Sequence, residues 1–450
     1  MGRLGRGRIV ALALLVTGLG LGGAELALRS AGFEGLTAAD LQASAGFGPG
    51  WVRRRDGQLG SWLQVVREEG VVPRVRLDPA HAALGMRAQS FSLERRPEEL
   101  RLFALGGAST ALPPGAPESA WPRQLQALLT ARDPTHRWAV VGLGLAGLDA
   151  QEQAVQAREA LAVGAQGLLI LPGEDDLRAA LTDALTAPPA VRPWHDRVRV
   201  LRLLRALARP RDAARPRVAV DRDARERALV ERVVVEAAAL GCALRPDEGR
   251  TVEPLYARML ADLMAGLEAL TLAADGAGVP VWLGIPPLDP WAAPREGLPD
   301  PRLDPATRAE VSEAVQQAMA LFARGRVEEA RERVARALGL DPTHAQACWM
   351  GGMLAWADGE AARAKDLFTC AADHDLRSRR MDSPRRAVLQ AVCDAHPEIR
   401  CLDLGAAFAG EDELPAQELF TATGLPSPGV GMPVIAEVFG EAVLAWGGWR

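Results

Sequence analysis

The sequence predicts an α/β protein: a doubly wound, parallel five-stranded sheet with an α-helical insertion and an N-terminal membrane helix. Three observations carry this. Five short apolar runs, LRLFALGG (100–107), WAVVGLG (138–144), GLLILPG (167–173), VPVWLGIP (279–286) and IRCLDLGAAF (399–408), have the continuous hydrophobicity of strands buried on both faces. Helical stretches lie between them, as crossovers joining parallel strands require. The chain has 450 residues, 48% hydrophobic and 24% charged, enough for more than one folded unit and too apolar to be mainly disordered.

The elements follow in order. Residues 1–30 read as a signal anchor or signal peptide: MGRLGRGR carries three arginines, and Ile9 to Ala24 is an uncharged apolar run ended by Glu25. The arginines stay on the cytoplasmic side, so the body is exported. Residues 31–97 read as an irregular lead-in segment. Residues 98–300 hold the first four strands, the helices WPRQLQALLTAR (121–132), AQEQAVQAREALA (150–162) and LYARMLADLMAGLEALTLAADGAG (255–278), and an Arg-rich helical insertion at about 178–250. Within that insertion, residues 192–217 contain nine Arg and two Asp. The amphipathic centre at 196–209 suits either a solvated face or contact with anionic headgroups, and the solvated face is the simpler reading.

Residues 308–376 carry an internal repeat of period 34: Gly325 recurs as Gly359, Ala330 as Ala364, Val334 as Phe368 and Ala337 as Ala371. Small residues where helices cross and large apolar ones where they pack resemble the tetratricopeptide repeat. Two units are too few to stand alone, so they are expected to lean on the main domain. Residues 377–450 return to the sheet with the fifth strand and a C-terminal helix.

The net charge is −5, which argues against a nucleic-acid partner. There is no Asn, and Lys365 is the only lysine among 52 basic residues, a compositional bias toward Arg. The five cysteines form no CxxC pair, so a zinc or redox motif is not expected. In an oxidising compartment Cys393 with Cys401, or Cys348 with Cys370, can pair.

Ser109 follows the first strand in LFALGGAST, where a doubly wound sheet places ligands and nucleophiles. From about residue 87 to residue 446 the chain resembles the SGNH/GDSL hydrolase superfamily, in particular exported, membrane-anchored members with tetratricopeptide units before the last strand. The likeness runs through MRAQSFSLERRPEELRLFALGGAST, WPRQLQALLTARDPTHRWAVVGLGLAG, GLLILPGEDDL, GVPVWLGIPPLDP, RRMDSPRRA and CLDLGAAF…LFTATGLPSPGVGMPVIAE. It implies a flavodoxin-like sheet and a site of four blocks. Ser109 matches the nucleophile, its N–H pointing into the oxyanion hole, and Gly144 the second-block glycine. The Asn slot holds Asp175, and the Asp-x-x-His slot falls at Gly424 and Ser427. An ionised Asp accepts only and repels a developing anion. No histidine follows His396, so the base of the C-terminal loop is missing. His396 reads as a surface residue and His374 as a remote candidate.

The run EDD (174–176) suits a helix N-cap better than a metal site, and no metal or cofactor is expected. Whether Arg386 or its neighbours reach the cleft is open. The expected function is that of an SGNH-like protein of the bacterial cell envelope, anchored in the inner membrane and facing the periplasm, or secreted if the signal is cut. Its hydrolytic site is degenerate, and it acts by binding: a glycan or acyl-ester ligand in the cleft, or a protein through the repeats. The alternatives are an active ester hydrolase or O-acyltransferase using Ser109, and a scaffold in an envelope complex.

Overall fold

The computed structural model describes residues 63–66, 73–77, 89–111, 117–177, 180–181, 227–234, 254–378, 380–410, 414–421 and 424–449. The predicted anchor, the Arg-rich helix at 196–209 and Cys242 lie outside the described residues. Among those described, no helix is long and apolar enough to cross a membrane.

The lead-in holds a small antiparallel sheet of β1 (Leu63–Val66), β2 (Arg74–Leu77) and β3 (Ser90–Ser92), in that order. This corrects the irregular reading of that segment. Strands of three or four residues show too little period-2 pattern to be seen in sequence, though Arg74, Val75 and Arg76 do alternate exposed, buried, exposed.

The central sheet is parallel and five-stranded, as predicted. Its strands are β4 (Glu99–Gly106), β5 (Arg137–Gly142), β6 (Gly167–Leu171), β7 (Val281–Ile285) and β8 (Arg400–Asp403). They lie in the order β5-β4-β6-β7-β8. The winding therefore reverses between β4 and β6, and the crevice beyond their carboxyl ends is where such sheets bind ligands.

Side-chain alternation along β4 supplies two cores. Leu102 and Ala104 face α1 (Trp121–Arg132) and α10 (Gly431–Leu444). Phe103 and Leu105 face α2 (Ala150–Ala162), α3 (Pro254–Gly276) and α8 (Ser383–Ala395). Trp121 stacks on Phe439 with ring centroids 4.8 Å apart. Arg101, fully buried in β4, joins the two sheets: its guanidinium pairs with Glu99, donates to the Ser92 carbonyl at 2.9 Å and covers the Phe91 ring at 4.5 Å.

Four helices stand between β7 and α8: α4 (Pro305–Phe322), α5 (Val327–Leu340), α6 (Ala345–Ala357) and α7 (Ala361–Asp373). They form two hairpins, α4–α5 and α6–α7, and the 34-residue period is visible in them. Gly325 and Gly359 both turn the chain at positive φ, 71° and 80°. Ala330, Ala364, Val334, Phe368, Ala337 and Ala371 are all buried at the helix crossings. The hairpins lean on the sheet domain through Trp291: its carbonyl accepts from Trp349 Nε1 at 3.2 Å, and its own indole donates to the Pro415 carbonyl at 2.8 Å. The short α9 (Leu404–Phe408) follows β8.

Both anticipated cysteine pairs form disulfides. Cys348–Cys370 joins α6 to α7, and Cys393–Cys401 joins α8 to β8, each with Cα atoms 6.0 Å apart. Closing loops of 22 and 8 residues removes chain entropy from the unfolded state worth about 3 and 2 kcal/mol. Reduction under native conditions is therefore expected to lower the denaturant midpoint. Cys348→Ala should lower the unfolding free energy by about the larger amount and steepen the unfolding transition, because the unfolded chain is freed to expand.

Candidate functional site

The first βα turn is tight because glycines permit it. A Cβ on Gly107 would sit 2.4 Å from Asp175 Oδ2, and one on Gly144 would sit 2.3 Å from the Thr110 carbonyl carbon. Gly107 lets the loop after β6 close onto the loop after β4. Gly144 lets the loop after β5 lie against residues 110 and 111, where it bridges Ala111. The structure thus brings Ser109, Gly144 and Asp175 together at the switch point.

What meets Ser109 was not foreseen. Its side chain is fully buried, and its hydroxyl donates to the carboxylate of Glu174. Its backbone N–H donates to Glu174 Oε2 at 3.2 Å. Next to it, the Ala108 N–H donates to Asp175 Oδ2 at 2.7 Å. Asp176 accepts from the Ala150 N–H at 3.0 Å, at the start of α2. The reading of residues 174–176 as capping acids of their own helix is corrected: these carboxylates reach across to other elements. The acids diverge, and among the described residues no group of three His, Cys, Asp or Glu converges as a metal site.

Glu174, Asp175 and Asp176 are all buried. Burial pushes the Glu174 carboxyl up to about 7; the Ser109 hydrogen bond opposes this and the Asp175 charge adds to it. Burial also pushes Asp176 up to about 7, with the Asp149 charge adding to it. The balancing cation is Arg385, fully buried beneath the turn. Its Nη1 donates to the Gly173 carbonyl at 2.6 Å, and it grips Asp382 at 3.0 and 3.1 Å. Burial works against its charge, but Asp382, Asp176 and Asp375 outweigh it and raise its pKa. So Arg385, not Arg386, reaches the site. Arg386 lies at the surface, paired with Asp403 at 2.7 Å.

The remaining predicted positions present nothing to the Ser109 hydroxyl. Gly424 sits against Asp289 and Arg380, where a Cβ would lie 3.3 Å from Asp289 Oδ2. Ser427 donates to the Glu418 carbonyl at 2.5 Å and accepts from the Gly431 N–H at 3.2 Å, fixing the start of α10. His374 Nδ1 lies 2.9 Å from the Cys370 carbonyl, and His396 pairs with Glu398 at 2.8 Å. His81 and His195 lie outside the described residues. Among those described, no histidine is hydrogen-bonded to Ser109.

No family model and no curated protein sequence matches the chain. Solved structures do. A G-D-S-L family protein described as lipolytic, from Desulfitobacterium hafniense DCB-2, is 12% identical and covers 76% of this chain and 98% of its own, at a TM-score of 0.31. A GDSL-like lipase from Bacteroides thetaiotaomicron VPI-5482 is 8% identical, covering 79% and 92% at 0.32. A protein described as an acylhydrolase, from Bacteroides fragilis NCTC 9343, is 9% identical, covering 76% and 86% at 0.32.

Proposed function

We propose that this chain is an SGNH/GDSL hydrolase-like protein that has lost ester hydrolysis and acts by binding. One observation carries the reading: a single carboxylate of the chain, Glu174, holds both the Ser109 hydroxyl and the Ser109 N–H. An oxyanion hole works by aiming donors at developing negative charge, and losing one donor costs roughly 10²–10³ in rate. Here the donor already serves an acceptor, and the Asn that would add a second is replaced by Asp175. An acyl group could bond to Ser109 only after Glu174 withdrew.

Export and anchoring belong to the same proposal. The Arg-rich start before an apolar run supports it, and so do two disulfides, which persist in oxidising compartments such as the periplasm. The two hairpins, read as tetratricopeptide-like repeats, are the surface offered to a protein partner. The old cleft is offered to a glycan or ester-type ligand.

A second reading rests on the same contact. A carboxylate with a pKa near 7 bonded to a serine hydroxyl has the strength of a general base. Hydrolysis of a short-chain nitrophenyl ester by the purified chain separates the two. Turnover is expected to be the same for the native chain and Ser109→Ala. A rate rising through pH 7 that both Ser109→Ala and Glu174→Gln abolish would establish the Ser109–Glu174 pair as catalytic.

A further inference from the structure

We infer that a cavity at the carboxyl ends of β7 and β8, away from Ser109, binds an uncharged, largely hydrocarbon molecule. The cavity has a volume of about 520 Å³, within the ordinary range of small-ligand sites. It lies between the loop after β7, the loop after α9, and helices α7 and α8. Neither Ser109, Gly144, Asp175, Gly424 nor Ser427 lines it. Since β6 separates β4 from β7, the two sites stand roughly 10 Å or more apart along the sheet edge.

The charges of the lining cancel, and its polar side chains are all engaged within the chain. Lys365 and Arg386 stand against Asp382 and Asp403, two cations to two carboxylates. Arg386 Nη2 donates to Asp403 at 2.7 Å, and Asp403 also accepts from the Ala406 N–H at 3.3 Å. Gly405 lets the backbone close on this pair: a Cβ there would sit 3.0 Å from Asp403 Oδ1 and 3.1 Å from Arg386 Nη1. Asp382 is fully buried against Arg385, and Lys365 has an interaction of its own. The Thr369 hydroxyl donates to the Lys365 carbonyl at 2.9 Å, and Ser383 bonds Asp373 through both its backbone and its side chain. A charged ligand would give up its hydration here and find a partner only by breaking one of these contacts. What the walls leave to a ligand is apolar: Leu288, Pro290, Met381, Phe408, Leu414 and Pro415. The proline rings bring CH₂ surface and no N–H, and the Met381 thioether adapts to irregular shapes. A hydrocarbon body displaces water from these walls and leaves every polar contact intact.

Photolabelling of the full-length chain with uncharged 4-methylbenzophenone, followed by peptide mass mapping, tests this. Adducts are expected on the segments carrying Leu288, Met381 or Leu414, with toluene competing. The carboxylate analogue 4-benzoylbenzoate and the ammonium analogue 4-aminomethylbenzophenone should label there roughly tenfold less, since each brings a charge that the walls leave unpaired. Leu288→Trp, which fills the cavity, should abolish labelling, and Leu288→Asp, which sets a carboxylate in the apolar wall, should weaken it roughly tenfold. Leu288 is only partly buried, and a native thermal unfolding midpoint shows that either variant is folded. Lys365→Gln should leave labelling unchanged, because this ligand uses no charge. Ser109→Ala should also leave it unchanged, so failure here is separable from failure of the pseudoenzyme proposal. Any of four results would overturn the inference: adducts only outside these segments, equal labelling by the charged analogues, full labelling of folded Leu288→Trp or Leu288→Asp, or labelling lost in Lys365→Gln or Ser109→Ala.

Discussion

Arg385→Met is expected to lower the unfolding free energy by ~3–5 kcal/mol, the cost of removing one partner from a buried charge cluster. Arg385 is fully buried, and its guanidinium ties five acceptors: the Gly173, Glu174 and Arg380 carbonyls and both oxygens of Asp382. Asp382 also caps α8, accepting from the Arg385 N–H at 3.0 Å, so one carboxylate fixes the helix start and the side chain together. Without the cation, the positive charge opposite Asp176 and Glu174 is lost, and the carbonyl of the turn that carries Glu174 loses its donor. Arg385→Lys is expected to recover little, because an ammonium cannot span acceptors laid out for a planar fork. Chemical denaturation monitored by tryptophan fluorescence measures both variants. Arg386→Met is the control: that side chain is partly solvent-exposed, and its pair with Asp403 should contribute about 1 kcal/mol or less. Equal losses for the two arginines would contradict the assignment of Arg385 as the cation of the buried cluster.

Those two arginines also show where sequence reading stops. The motif RRMDSPRRA places four arginines within nine residues, and nothing in their chemistry separates them. The helix does, because successive residues point about 100° apart: one goes under the turn and the next to the surface. Residues 174–176 pose the same problem. Three acids after a buried strand could be located from sequence, but which one faces Ser109 depends on how the loop closes over Gly107. The resemblance puts Asp175 in the Asn slot, and its oxygen does reach the turn, at the Ala108 N–H. The longer Glu174 reaches the hydroxyl. The five buried strands were legible because both faces are covered and their hydrophobicity is continuous. The repeats were legible because their period fixes Gly325 and Gly359 at the same positive-φ turn. The small sheet was not, since its strands owe their pairing to Val75 and Leu63 packing on a core assembled from distant segments.

The second large effect concerns pH. Glu174 moves from an ordinary 4.5 to about 7 on folding, and Asp176 from 3.8 to about 7. Between the unfolded and folded values, the folded state holds protons that the unfolded chain has released. Stability therefore falls as pH rises from about 4.5 to 7, and above 7 the full cost of the buried charges remains. At 1.36 kcal/mol per pH unit, Glu174 accounts for ~3 kcal/mol of this slope. Glu174→Gln is expected to be more stable than the native chain by up to that amount at pH 8, and to match it near pH 4. The amide keeps an acceptor for the Ser109 N–H, and its nitrogen can donate to the Ser109 oxygen, so the turn need not open. Thermal unfolding across pH 4–8, read as the difference between variant and native, isolates this residue from other titrating carboxylates such as Asp133, whose pKa is lowered. A difference that does not vary with pH would mean that Glu174 is not buried against Ser109. The same variant puts an amide beside the Ser109 N–H without supplying a proton acceptor. If the loss of hydrolysis rests on the missing base as well as the occupied donor, Glu174→Gln will gain stability and no esterase activity.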